Sequence, residues 1–130
     1  IVTTDWKEYG VPDNVVKGAL LCSGMYDLKP VRLSKRSEYV AFTDEVEEKL
    51  SSIRRLKYLN CPVIVAYGTY ETPEFQRQSR DFAAAVKAAG KPVTPLVGEG
   101  FNHFEIAETL GDPYGLLGRA MLVQMKLRTA

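Results

Sequence analysis

Hydrophobic and polar positions along the chain alternate between strand-like and helix-like patterns. Short and continuously apolar runs, rich in β-branched residues, predict buried strands over residues 15–22, 62–67 and 92–97. Pro92 and Pro95 lie in the third run, which is therefore predicted to form an edge strand or an irregular ladder.

Helical patterns follow each of the three predicted strands. Residues 43–50 begin with a capping threonine and an acidic first turn, and residues 72–90 begin with a Thr-Pro pair and end at a glycine. A short helix is predicted over residues 104–110, and a last one opens at Asp112-Pro113. The order of strand and helix, repeated three times, predicts an α/β fold with a mostly parallel sheet, right-handed crossovers and helices on both faces.

Three further segments carry simpler expectations. Residues 23–30 are predicted to form a polar loop, and the acidic cluster over residues 44–48 a solvated helix face. Residues 1–6 resemble the end of a helix rather than a signal peptide or a disordered tail. We therefore expect the chain to begin inside a larger fold.

Composition narrows the range of partners. The 130 residues carry 17 basic and 16 acidic side chains, a net charge of +1, so no overall field favours nucleic acid or an anionic membrane. No apolar run approaches the roughly 20 residues that span a bilayer. Cys22 and Cys61 are predicted to be buried free thiols on neighbouring strands, with a disulfide or a nucleophile as the alternatives. Free thiols are compatible with a reducing compartment, and a cytoplasmic location is the expectation.

The only histidine of the chain, His103, is the first candidate for chemistry. It lies in a glycine-rich stretch after the third predicted strand, and an imidazole gains and loses a proton near neutral pH. Asp27, Glu71 and His103 all follow predicted strand ends, where open parallel sheets bind ligands. A catalytic imidazole needs a carboxylate that holds its tautomer, and Glu71 is the favoured partner because one helix and one strand separate it from His103. Asp27 is the alternative acid, and Glu74 is weaker because it lies inside a helical turn.

Two motifs carry a resemblance to a known superfamily. The runs YGTYETPEFQRQS at residues 67–79 and FNHF at residues 101–104 resemble the C-terminal half of an α/β-hydrolase. Within that superfamily the chain is similar to the arylformamidase (kynurenine formamidase) and short-chain carboxylesterase branch. The resemblance extends over nearly the whole chain and includes CSGMYDL at residues 22–28.

The resemblance implies a chain order of nucleophile, acid and histidine. It assigns the acid to Glu71, where many relatives carry the shorter aspartate, and the base to His103. No Gly-x-Ser-x-Gly elbow and no His-Gly-Gly oxyanion segment occur among the 130 residues. Ser23 lacks the strand-to-helix elbow and Ser79 lies in a predicted helix, so neither is favoured as a substitute. We therefore expect residues 1–130 to be the C-terminal portion of one α/β-hydrolase domain, with the nucleophile and the oxyanion donors in an N-terminal portion outside this chain.

The resemblance also implies a reaction. A serine hydrolase is expected to act on an aryl formamide or a small carboxylic ester without a metal or organic cofactor. Tyr70, Phe101 and Phe104 are candidates for lining its substrate pocket. The expected partner is the N-terminal portion of the same protein, and a homodimer is left open. The alternative is a non-catalytic α/β-hydrolase-like binding domain or an inactive fragment, because an acid and a base without a nucleophile perform no acyl transfer.

Overall fold

A three-stranded parallel sheet forms the centre of the molecule. The computed structural model describes residues 1–128 and places β1 at Ala19–Cys22, β2 at Val63–Gly68 and β3 at Val93–Gly98. The strands lie in the order β1-β2-β3, with Ala19 opposite Val63 and Gly68 opposite Gly98. Because all three strands run in the same direction, their carboxyl ends meet at one edge of the sheet.

Helices lie in the two connections between the strands, as well as before β1 and after β3. Their bounds are α1 Leu28–Arg32, α2 Asp44–Leu50, α3 Pro73–Ala88, α4 His103–Glu108 and α5 Leu116–Gln124, with short 3₁₀ helices at Trp6–Tyr9, Lys35–Glu38, Ser52–Tyr58 and Thr109–Gly111.

Both faces of the sheet are covered by apolar side chains from helices. Phe82 of α3 packs with Val63 and Val65 on one face. Ile106 of α4 and Leu117 of α5 pack on the opposite face. Successive strand residues point to opposite faces, so a continuously apolar strand such as β2 is buried from both sides. The predicted parallel α/β arrangement with helices on both faces is confirmed.

The strands are shorter or shifted relative to the sequence pattern. The first was predicted from residue 15, but it begins at Ala19, whose N–H donates to the carbonyl of Pro62 at 3.1 Å. Pro62 has no N–H with which to extend the ladder toward earlier residues. The second and third strands each begin one residue later than predicted and end at Gly68 and Gly98.

The expectations for the first thirty residues are partly wrong. Residues 1–6 do not form a helix end: Thr4 N–H donates to the Ile1 carbonyl in a single turn. The side chain of Asp5 then caps a separate 3₁₀ helix by accepting from Lys7 N–H at 3.2 Å. The predicted polar loop over residues 23–30 contains the start of α1, because Asp27 caps that helix.

The last helix begins later than its sequence signal. Asp112 and Pro113 form a turn in which Asp112 accepts from Tyr114 N–H through its side chain and from Gly115 N–H through its carbonyl, both at 2.9 Å. This local hydrogen bonding competes with the helix, so α5 starts at Leu116.

One member of the acidic cluster is not solvated. The Glu47 side chain is 13% exposed and accepts from Arg54 at 2.8 Å and Arg32 at 3.2 Å. These hydrogen bonds, with Arg54 contributing most, lower the pKa of the Glu47 carboxyl. The cluster therefore joins α1, α2 and the 3₁₀ helix after them, which the charge pattern alone did not predict.

Among residues 1–128, no helix is long and apolar enough to cross a lipid bilayer.

Candidate active site

Glu71 lies in the short loop that leaves β2. Its backbone N–H donates to the Gly68 carbonyl at 3.2 Å, and its side-chain Oε2 accepts from Gly68 N–H at 3.3 Å. The Glu71 side chain is fully buried. The turn thus folds the carboxylate back toward the sheet edge and leaves Oε1 for another partner.

His103 is the first residue of α4, and the residue before it sets where that helix begins. The Asn102 side chain accepts from Phe104 N–H at 2.9 Å and from Glu105 N–H at 3.0 Å. Glu105 returns a hydrogen bond to Asn102 N–H at 3.0 Å, which completes a capping box. The asparagine beside the histidine is therefore a structural cap that holds the imidazole at the helix start.

The structure brings Glu71 and His103 together. Nδ1 of His103 lies 2.8 Å from Oε1 of Glu71, and the His103 side chain is 42% exposed. A carboxylate oxygen accepts hydrogen bonds, so this contact matches the tautomer that carries its proton on Nδ1. Within residues 1–128, Nε2 of the half-exposed ring has no hydrogen-bond partner and can accept a proton from a second group. We call this pair the Glu71–His103 relay.

Two aromatic side chains flank the imidazole. The Phe75 ring of α3 lies 4.4 Å from the His103 ring centre at an interplanar angle of 36°. The Phe104 ring meets it edge-on at 5.5 Å. Because aromatic packing limits how far the imidazole can turn, Phe75 and Phe104 support the orientation that faces Glu71.

The loops that carry the acid and the histidine are joined through their backbones. Tyr70 N–H donates to the Phe101 carbonyl at 3.0 Å, and Thr69 N–H donates to the Gly98 carbonyl at 2.9 Å. The approach is so close that a Cβ added to Gly68 would overlap the carbonyl oxygen of Phe101. Glycine is required at position 68 because the two loops could not otherwise touch.

The other acids considered from sequence have different partners. Asp27 caps α1 and accepts from Arg54 at 2.9 Å, while Glu74 pairs with Arg77 at 2.6 Å. The hydrogen bonds that Glu74 accepts, chiefly from Arg77, lower the pKa of that carboxyl. In the structure the imidazole of His103 is therefore hydrogen-bonded to Glu71, and it is not hydrogen-bonded to Asp27 or Glu74.

The three aromatic candidates for a substrate pocket differ in their surroundings. Phe101 packs against the core around Ile106. Tyr70 is 74% exposed and Phe104 77% exposed, so within residues 1–128 they lie on the surface near the relay. Their contact with a substrate stays a prediction.

A large groove lies elsewhere on the molecule. It has a volume of about 860 Å³ and lies between the sheet and α5, with Pro62 and Pro92 in its lining. The lining extends from these prolines, which precede β2 and β3, along the strands to Leu96, and it includes neither Glu71 nor His103. Ligands of open parallel sheets bind at the carboxyl ends, and we therefore do not assign the groove as the site.

The two cysteines are free thiols, as predicted. Cys22 ends β1 and is half-buried, whereas Cys61 precedes β2 rather than lying on it. Burial raises the pKa of both thiols. A raised pKa disfavours the thiolate, so neither has the character of an activated nucleophile.

Several residues at the start of α3 carried no individual functional prediction from sequence. Phe75 and Gln76 lie within the quoted motif, but periodicity assigns them only to a helix. Gln78 is nearly fully buried and accepts from the backbone N–H groups of Tyr26 and Asp27 at 2.7 and 2.8 Å. The sequence signal that could have singled out Gln76 and Gln78 is that two amide side chains lie in the first turns of α3, the helix that follows Glu71.

Two solved structures share the fold. A puromycin-hydrolysing peptidase of Mycobacterium tuberculosis superposes with a TM-score of 0.61 and 22% identity over 82% of this chain and 18% of its own. Esterase 2 of Thermogutta terrifontis, solved after phosphoramylation by tabun, has a TM-score of 0.59 and 20% identity over 88% of this chain and 44% of its own. The parallel sheet and its flanking helices, together with these likenesses, make the chain part of an α/β-hydrolase fold, which confirms the fold that the sequence predicted.

Relatives found by sequence show which branch of the superfamily this chain resembles. Kynurenine formamidase of Danio rerio is 35% identical over 127 residues, which cover 94% of this chain and 43% of that protein. Kynurenine formamidase of Salmo salar is 36% identical over 118 residues, which cover 86% of this chain and 40% of that protein. The chain thus spans less than half the length of these relatives, and no protein-family model matches it. The resemblance to the arylformamidase branch of the α/β-hydrolases is confirmed.

Proposed function

We propose that this chain supplies the acid and the base of a serine hydrolase. The observation that carries the proposal is the 2.8 Å contact between Oε1 of Glu71 and Nδ1 of His103 at the carboxyl edge of the sheet. The buried carboxylate orients the imidazole, and the half-exposed ring offers Nε2 to a reacting group.

The proposed reaction runs through an acyl-enzyme. A serine hydroxyl attacks the acyl or formyl carbonyl while His103 takes its proton, and Glu71 stabilises the imidazolium that forms. His103 returns the proton to the leaving amine or alcohol as the tetrahedral intermediate collapses. Water then attacks the acyl group with the same base, which releases the acid and restores the serine.

The serine and the oxyanion donors are proposed to come from an N-terminal portion of the same protein. The absence of a Gly-x-Ser-x-Gly elbow from the 130 residues supports this, as does the fact that the fish relatives are more than twice as long as the matched segment. In addition, β1 pairs with β2 on one side only within residues 1–128, so its other edge is open to a further strand.

The proposed substrate is an aryl formamide such as N-formylkynurenine, or a small carboxylic ester. The names of the two fish relatives support the formamide, and the esterase among the structural neighbours supports the wider class. We also propose a cytoplasmic location, because Cys22 and Cys61 are unpaired among the described residues.

The test uses the complete protein that contains this chain. His103→Ala should abolish hydrolysis of both N-formylkynurenine and p-nitrophenyl acetate while leaving the thermal unfolding transition in place. Glu108→Ala, an exposed position on the same helix, serves as the matched control and should keep wild-type rates. The proposal is wrong if the His103 variant retains activity, or if the complete wild-type protein hydrolyses neither substrate, as a non-catalytic binding domain would.

The proposed partner has its own test. Residues 1–130 expressed alone should aggregate or unfold without cooperativity, because exposed apolar side chains such as Ile1, Leu33 and Leu127 remain uncovered. Co-expression with the N-terminal portion should yield a single species that melts cooperatively, and light scattering would show whether it is a monomer or a homodimer. A sharp cooperative melt of the isolated chain would contradict the expectation.

A further inference from the structure

The geometry points to Gln76 as the positioning residue of the Glu71–His103 relay. This inference rests on the proposed function, because a relay is useful only to a hydrolase. Gln76 makes no hydrogen bond to the Glu71 carboxylate or to the imidazole. It holds the loop from which the carboxylate projects.

Gln76 lies in the first turn of α3, and its side chain reaches back over the loop that precedes the helix. Its Nε2 donates one hydrogen bond to the Glu71 carbonyl at 2.8 Å and another to the Thr69 carbonyl at 3.1 Å. One primary amide has two donor hydrogens, and both are used here on the acid-bearing loop. The opposite amide orientation would set Oε1 against two carbonyl oxygens, so the network allows only this one.

Thr69 extends the same connection to the histidine. Its carbonyl accepts from Gln76, its N–H donates to the Gly98 carbonyl at 2.9 Å, and its Oγ1 accepts from Gly100 N–H at 2.8 Å. Gly98 and Gly100 lead directly into the helix start that carries the imidazole. Gln76 is therefore bonded to the acid loop directly and to the histidine loop through one residue.

Backbone hydrogen bonds from the N–H groups of Thr69 and Tyr70 hold one part of the loop, and Gln76 holds the carbonyls of Thr69 and Glu71. Residues 69–72 lie between β2 and α3, outside regular secondary structure. The Thr72 carbonyl accepts from Gln76 N–H at 3.3 Å, and the carbonyls of Thr69 and Glu71 accept from the Gln76 side chain. Glu71 is held by the Gly68 contacts to its N–H and its side chain, by His103 at Oε1, and by Gln76 at its carbonyl. Without the amide of Gln76, the Glu71 carboxylate can move away from Nδ1 of His103. A displacement of about 1 Å at a catalytic group costs on the order of 100-fold in rate.

The experiment compares three variants of the complete protein. Gln76→Glu keeps the size of the side chain but removes both donor hydrogens and sets an acceptor against two carbonyls. Gln76→Met keeps the length and removes all polarity. Arg77→Ala is the matched control, because Arg77 is the next residue and its partners, Glu74 and Asp81, lie on α3 itself.

Both Gln76 variants should lower kcat about 10- to 100-fold with KM changed less than about 3-fold. They should also weaken or abolish the low-field proton resonance of His103 Nδ1–H, which is identified as the signal missing in His103→Ala. Arg77→Ala should keep both kcat and that resonance. Thermal melts of each variant establish that the proteins compared are folded.

Three outcomes would overturn the inference. The first is a Gln76→Glu variant with wild-type kcat. The second is a loss of kcat with an unchanged Nδ1 resonance, which would place the effect of Gln76 elsewhere. The third is an equal loss in Arg77→Ala, which would mark general destabilisation of α3. Retained activity in His103→Ala would instead refute the proposed hydrolase itself, so the two failures are distinguishable.

Discussion

Replacing Glu71 by glutamine should invert the hydrogen bonding of the relay while preserving its shape. In the wild type, Oε2 accepts from Gly68 N–H at 3.3 Å and Oε1 lies 2.8 Å from His103 Nδ1. A glutamine in the same rotamer has one oxygen and one NH₂. Gly68 N–H is a fixed donor, so the oxygen must face it and the NH₂ must face the imidazole.

The consequence is the wrong tautomer. An amide NH₂ donates to Nδ1, which moves the imidazole proton to Nε2 and leaves no acceptor for the serine hydroxyl. A change of this kind lowers kcat by about 10⁴-fold in a serine triad, which corresponds to about 5 kcal/mol of transition-state stabilisation at 1.36 kcal/mol per decade. KM should change little, because the carboxylate is fully buried and cannot touch substrate.

The assay is steady-state hydrolysis of N-formylkynurenine and p-nitrophenyl acetate by the complete protein. Glu74→Gln provides the matched control: it removes a carboxylate three residues away whose partners are Arg77 and Gln78, and it should cost less than a few-fold in kcat. Circular dichroism checks that both variants are folded. A kcat for Glu71→Gln within tenfold of the wild-type value would refute the assignment of Glu71 as the acid.

Three further predictions concern stability. In urea titrations of the complete protein, Gly68→Ala should cost about 1–3 kcal/mol of unfolding free energy or more, because its Cβ overlaps a carbonyl, whereas Gly111→Ala, with open space around it, should be nearly neutral. Phe82→Ala, at a side chain with no exposed surface, should cost about 3–5 kcal/mol in the same titrations, and a loss below 1 kcal/mol would contradict the described core. The hydrogen bond from Arg77 lowers the pKa of Glu74 from its ordinary value of 4.5, so its stabilisation is present above that value and is lost as the pH falls through the lowered folded pKa. Melting temperatures of wild type and Arg77→Met should therefore differ slightly at pH 7 and converge on acidification, and a difference that widens in acid would show that the sign is wrong.

The sequence anticipated the arrangement of the relay better than its surroundings. Glu71 and His103 were predicted to follow neighbouring parallel strands, and a strand order of β1-β2-β3 does place their loops side by side. Their catalytic roles stay a prediction. The pattern failed where local hydrogen bonding competes with a periodic signal: Asp112 holds a turn and delays α5, and Asp27 caps a helix inside a predicted loop.

What the sequence alone determined is the series of elements and the loops from which chemistry can project. The spacing of apolar residues, helix caps and prolines acts over a few residues. Helices and strands can therefore be predicted from these signals without knowing the fold. Only the tertiary structure decided that Oε1 of Glu71 contacts Nδ1 of His103 and that Gly68 must lack a side chain. It also decided that Gln76 donates both amide hydrogens to carbonyls of the loop that carries Glu71. Contacts such as that between Glu71 and His103 join residues brought together by a crossover helix and a strand, and their distances depend on how those elements pack.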